Sequence, residues 1–83
     1  MNGVTESAGA RLKQALDDAK SAEEQAVRYQ ITEGRGELTI DRKKPQDVSF
    51  DYDGRTVLIV DPDVAQAAEG RKLDYNNGNI SLA

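Results

Sequence analysis

The run Thr56–Val60, TVLIV, constrains this chain more than any other feature. It is short, free of charge and apolar without alternation. A run of that kind suits a β-strand covered on both faces. The rest of the sequence must therefore supply material for both sides. Upstream, the apolar period is two. Val27, Tyr29 and Ile31 share one face of a segment, and Arg28, Gln30 and Thr32 share the other, the pattern of a half-buried strand. Leu38 and Ile40 alternate with Glu37, Thr39 and Asp41 in a second strand. Val48, Phe50 and Tyr52 alternate in a third. Asp53-Gly54 then reads as a hairpin turn leading into TVLIV.

The ends of the chain complete the pattern. Thr5 to Lys20 reads as a helix, capped by Thr5 and with Glu6 at the positive end of its dipole. Ala8, Leu12, Ala15, Leu16 and Ala19 fall on one face, and Lys20 stands in the last turn, while Gly9 weakens the first. That face is mostly alanine, which fits close packing on a sheet and not a membrane surface. After TVLIV, Asp61 caps a short helix with Pro62 at its first position, and Gly70 ends it. Leu73 and Tyr75 form a short strand, Asn76-Asn77-Gly78 turns the chain, and Ile80 and Leu82 close it. The expected fold class is mainly β with an N-terminal α-helix. A chain of 83 residues is expected to form a single domain, 1–83.

Composition excludes several functions. The sequence holds no cysteine and no histidine. Disulfides, thiolate-ligated zinc, protein-thiolate iron–sulfur ligation, cysteine nucleophiles and the usual neutral-pH base are all removed. Net charge is −4, and the one basic run, Arg42-Lys43-Lys44, is flanked by Asp41 and Asp47. With three tyrosines and one phenylalanine, this is not the basic, aromatic surface of a nucleic-acid binder. No apolar run approaches the ~20 residues that cross a bilayer. MNGVTESAG is not a secretory leader, so a cytoplasmic location is expected.

Candidate sites are few. Asp51, Asp53, Asp61 and Asp63 could suggest a hard-cation site, but the full calcium-loop pattern is absent. Asp53 is better explained by a hairpin and Asp61 by a helix cap. Fifteen acids ensure some neighbouring carboxylates, yet nothing marks a pocket that would shift their pKa for catalysis. Tyr29, Tyr52 and Tyr75 lie on apolar strand faces and read as core with a hydroxyl at the rim. The remaining feature is the glycine-flanked stretch Gly34-Arg35-Gly36, between the first two strands. Gly34 and Gly36 could only shape a turn. Arg35 could also bind an anion or a partner's carboxylate in the bidentate manner of guanidinium.

The order of features is similar to that of a known family. PQDVSFDYDGRTVLIVDPD followed by EGRKLDYNNGNI resembles the HesB/IscA-like proteins, the A-type carriers of iron–sulfur cluster biogenesis. The resemblance rests on Pro45, Asp47, Val48, Phe50, Gly54, Val60, Asp61, Gly70, Leu73, Asp74 and Tyr75, and on Thr5, Ala8 and Leu12 of a Thr/Ser-x-x-Ala-x-x-x-Leu helix. It runs from about Thr5 to Ile80. It implies a compact two-sheet HesB-like β-sandwich with a role in cluster assembly, partners among cluster-assembly proteins, and self-association. In typical carriers three cysteines hold iron or a cluster, one in a Gly-Cys-Ser-Gly loop and two in a Cys-x-Cys tail. Gly34, Arg35 and Gly36 correspond to that loop, in a segment shortened by several residues, and no counterpart of the tail precedes Ala83. Arginine has no lone pair for iron. The expectation is a cysteine-free relative with no cofactor, metal site or catalytic residues. It would act as a protein-interaction or binding module and not as an enzyme. A small-anion binder or enzyme using Arg35 with nearby carboxylates is the alternative.

Overall fold

The computed structural model describes residues 1–83. Helix α1 (Glu6–Asp18) is followed by strands β1 (Gln25–Thr32), β2 (Arg35–Arg42), β3 (Val48–Tyr52) and β4 (Arg55–Val60). Then come helix α2 (Pro62–Ala67) and strands β5 (Leu73–Asn76) and β6 (Asn79–Leu82). The first four strands form one sheet in the order β2-β1-β4-β3, and β5 and β6 form a second, two-stranded sheet. The expected mainly-β class, with an N-terminal helix and two sheets, is the architecture found.

Strand β4 lies inside the larger sheet. It pairs in parallel with β1, placing Val27 beside Leu58 and Arg28 beside Ile59. Val57, Leu58, Ile59 and Val60 have no exposed surface, so the continuous apolar run is covered on both faces as its composition requires. Three hairpin turns carry a residue with positive φ followed by a glycine with positive φ: Glu33-Gly34, Asp53-Gly54 and Asn77-Gly78. This is the backbone of the two-residue turns that match strand twist.

Helix α1 starts where its cap dictates. The Thr5 hydroxyl accepts from the Ala8 amide and also donates to Asp74 Oδ1 at 2.7 Å, so the cap ties α1 to β5. The helix ends at Asp18, short of the expected Lys20. Lys20 takes φ 52°, and the Lys20 and Ser21 amides return to the carbonyls of Asp17 and Leu16. That closing motif satisfies the last carbonyls although the left-handed position holds no glycine. Ala8, Gly9, Leu12 and Leu16 are buried, whereas Ala19 lies outside the helix and is exposed.

Gly9 looked like a weakness in the helix and is instead a contact. A Cβ at this position would lie 2.4 Å from Cδ1 of Tyr52, so the ring of β3 packs directly on the helix backbone. The core joins Leu12 and Leu16 of α1 to Val27 and Tyr29 of β1, Val57, Leu58 and Val60 of β4, and Leu73 of β5. The N-terminal segment adds to β5 from its other side, through a bridge between Val4 and Leu73. No helix is long and apolar enough to cross a membrane.

Candidate functional site

The stretch Gly34-Arg35-Gly36 is not one loop. The turn consists of Glu33 and Gly34, and Arg35 and Gly36 are the first residues of β2, paired with Thr32 and Ile31. Gly34 supplies the left-handed conformation of the turn. Gly36 is needed for space: a Cβ there would lie 2.6 Å from the Tyr29 hydroxyl oxygen. The Tyr29 ring covers the glycine across the strand pair, the arrangement known to protect glycines in sheets. The Arg35 side chain is exposed, and it lines none of the three cavities of the molecule.

The residues this loop would offer a metal or cluster do not fit one. Glycine brings no side-chain donor and a guanidinium has donors only. No group of three or more carboxylates in the chain is arranged to hold a metal ion. Three carboxylates do converge, but on a cation that the protein supplies itself.

That cation is Arg28, only 1% exposed in the middle of β1. Its Nη1 and Nη2 donate to the two oxygens of Asp47 at 3.0 and 2.6 Å. Its Nε donates to Asp41 at 2.9 Å, and Nη1 also reaches Asp61 at 3.2 Å. The Arg42 carbonyl accepts from Nη2 at 3.3 Å. Every N–H of the guanidinium thus has an acceptor, the condition under which a buried charge is tolerable. Asp47 also accepts from the Lys44 amide at 2.7 Å, which closes the turn around Pro45.

Alternation placed Arg28 on the polar face of a half-buried strand; the structure buries it. The reason is β4, which lies alongside β1 and brings Asp61 at its end. Asp61 stands at the cap position of α2, but its side chain caps nothing. It faces Arg28 instead, which corrects the cap role expected for that side chain. Nothing local in the sequence links residues 28, 47 and 61. Their one shared signal is that Asp47 and Asp61 belong to the ordered set that carries the family resemblance. So do Thr5 and Asp74, which bond to each other. Four of the residues that carry the resemblance thus make side-chain hydrogen bonds that tie separate elements together.

Electrostatics follow the geometry. Hydrogen bonding to Asp47, against the cost of burial, holds the Arg28 guanidinium more firmly charged than usual. The Arg28 hydrogen bonds, with help from the Lys44 amide, lower the Asp47 carboxyl from 3.8 to about 2. Asp41 is lowered by the Arg42 amide first and Arg28 second. The folded pKa of Asp47 lies below its unfolded value, so its contribution to stability is complete above about pH 4 and is lost as pH falls through about 2. The urea midpoint, followed by circular dichroism, is expected to drop across that window. A midpoint unchanged from pH 5 to about pH 2 would contradict this role for Asp47.

One surface stands apart from these locks. Ile31, Leu38 and Ile40 are 44%, 43% and 38% exposed, and all project from the apolar face of the β1–β2 hairpin. In register, Leu38 lies opposite Tyr29 and Ile40 opposite Val27. The surface continues into a groove of about 260 Å³ between this hairpin, α1 and the β5–β6 hairpin. Seven of its ten lining residues are hydrophobic, among them Leu12, Ala15, Leu38 and Ile80. Arg11 lies at its edge, 6.0 Å from the centre of the Tyr75 ring. The alternation places Leu38 and Ile40 on a strand's apolar side; that they are only partly covered is visible only in three dimensions.

No protein-family model matches the chain, and no curated protein matches its sequence. Solved structures do match. A solution NMR structure of an Aquifex aeolicus protein superposes with a TM-score of 0.73 at 22% identity, covering 96% of this chain and 87% of that one. The crystal structure of Escherichia coli SufA, involved in the biosynthesis of iron–sulfur clusters, superposes with a TM-score of 0.66 at 20% identity, covering 98% of this chain and 80% of SufA. Over nearly its whole length, this chain has the HesB-like fold that SufA also has.

Proposed function

We propose that this chain is a protein-interaction module on a HesB-like scaffold and carries no iron–sulfur cluster of its own. The observation that carries the reading is the exposed apolar surface of Ile31, Leu38 and Ile40, continuous with the groove beneath it. An apolar face of this kind, bordered by polar residues, is characteristic of protein contact sites. The fold similarity to SufA supports a partner among cluster-assembly proteins. The donor set supports the second half of the reading, because the chain contains neither thiolate nor imidazole and its loop arginine cannot ligate iron.

Binding, and not catalysis, fits the groove. Its ionisable lining is limited to Arg11 and Tyr75, and no acid–base pair faces a cavity wall there. The rival reading, with Arg35 holding a small anion, finds no concave surface around Arg35 to support it.

The test has two arms. Purified protein is incubated with ferrous iron and sulfide, desalted, and its visible spectrum recorded. The expected result is no retained cluster absorption; stoichiometric absorption that survives desalting would overturn the non-ligating claim. Pull-down from the native cell should capture a protein partner that is lost in the Ile40→Glu variant. Capture unaffected by that change would move the contact away from this face.

A further inference from the structure

The groove between the β1–β2 hairpin, α1 and the β5–β6 hairpin is hollow for a local reason. On α1, Leu12 packs into the core, but the residue one turn after Arg11 is Ala15. Its small side chain leaves the space between α1, Leu38 and Ile80 unfilled. The polar groups that face this space are of one kind. Arg11 is the only charged residue of the lining, and its guanidinium enters no salt bridge. It stands over the Tyr75 ring, 6.0 Å from the centre. Thr39 and Tyr75 add hydroxyls that can donate. The carboxylates nearest in sequence are engaged or turned away. Asp74 accepts from the hydroxyls of Thr5 and Ser7, and Glu37 and Asp41 leave β2 on the face opposite Leu38 and Ile40. A cation without a carboxylate partner, at the edge of an apolar groove, is complementary to an anion with an apolar body.

We propose that this groove binds a small apolar monocarboxylate, its chain against Leu12, Ala15, Leu38 and Ile80 and its carboxylate paired with Arg11. Size limits the ligand. The volume of about 260 Å³ lies below the roughly 300–1,000 Å³ of sites for drug-sized molecules, so a single alkyl chain fits and a nucleotide cofactor or a two-chain lipid does not. Charge sets the class. One guanidinium with no second cation in the lining matches one carboxylate, which it can hold through two parallel N–H···O bonds, and leaves a multiply charged phosphate ligand under-neutralised. The absence of any acid from the lining disfavours amines and other cations at the same place. The inference goes beyond the interaction reading: its ligand is a small molecule, and the residue on which it turns is Arg11.

Titration of sodium decanoate into isotope-labelled protein, followed by amide chemical shifts, tests the site. The expected result is saturable shifts centred on Leu12, Ala15, Leu38 and Ile80. Two further probes separate chain from charge. Decanol, with the same chain and no carboxylate, is expected to bind about three- to tenfold more weakly, and acetate, with the carboxylate and no chain, is expected to cause no saturable shift. Arg11→Gln changes an exposed helix position; it should weaken decanoate by the same factor and leave decanol unaffected. Ala15→Leu, which fills the hollow and keeps a good helix former, should abolish binding of both. Circular dichroism confirms that each variant is folded. Shifts that do not saturate or that scatter over the molecule would overturn the proposal, as would decanoate binding indifferent to Arg11→Gln. If decanoate fails to bind while a protein captured in the pull-down shifts these same amides, the groove takes a side chain of that partner. The carboxylate site then falls and the interaction reading stands.

Discussion

Arg28→Ala is expected to leave the protein only marginally stable at room temperature. The change removes the partner of Asp47, whose side chain has no exposed surface. Breaking a buried pair from one side costs about 3–5 kcal/mol, because it leaves an uncompensated charge in the interior. Domains are commonly stable by only about 5–15 kcal/mol, and one of this size stands near the lower end. Asp41 and Asp61 contribute less, since their side chains are 41% and 50% exposed and regain water when released. Removing both members of the buried pair should do less harm. Arg28→Met combined with Asp47→Leu is expected to recover much of the lost stability, as apolar replacement of whole ion pairs often does. Urea denaturation of the two single variants and the double variant measures the coupling directly. A single variant within about 1 kcal/mol of the unmodified protein would show that the site is not a lock.

Gly9→Ala is the second large effect, and its sign is the informative part. On helix propensity alone, alanine should stabilise α1 by about 0.8–1 kcal/mol. The added methyl would instead meet Cδ1 and Cγ of Tyr52 at 2.4 and 2.6 Å, and its Cβ at 3.1 Å. The ring sits at the base of the contact and cannot swing aside as a chain tip could, so α1 must lift from β3. Overpacking of this kind costs about 1–3 kcal/mol, and a loss of 1 kcal/mol lowers Tm by about 4–8 °C in a domain of this length. The variant is therefore expected to melt below the unmodified protein. Combining it with Tyr52→Ala should cost less than the sum of the two single changes. A raised Tm for Gly9→Ala would mean that the helix is not seated on Tyr52.

Much of the scaffold is legible in the sequence. Alternation at Val27, Tyr29 and Ile31 and at Val48, Phe50 and Tyr52 reports strands because side chains leave a strand on alternate sides. Asp53-Gly54 and Asn77-Gly78 report turns because few other residue pairs accept two positive φ values. The candidate loop was less legible. Gly34 and Gly36 look equivalent in the sequence, yet one bends the chain and the other makes room for Tyr29 across the strand pair. A glycine that serves conformation and one that serves space have the same signature until the opposing residue is known.

The sequence by itself determined the element order, the doubly covered strand at Thr56–Val60 and the absence of every thiolate and imidazole ligand, because propensity, periodicity and side-chain chemistry are local properties. Only the tertiary structure decided that Arg28 is buried among Asp41, Asp47 and Asp61, that Asp61 does not cap its helix, and that Ile31, Leu38 and Ile40 stay partly exposed. The physical reason is that burial depends on neighbours. A charge becomes interior, or an apolar side chain stays in water, according to which distant strand lies alongside it, and the local pattern of residues carries no record of that.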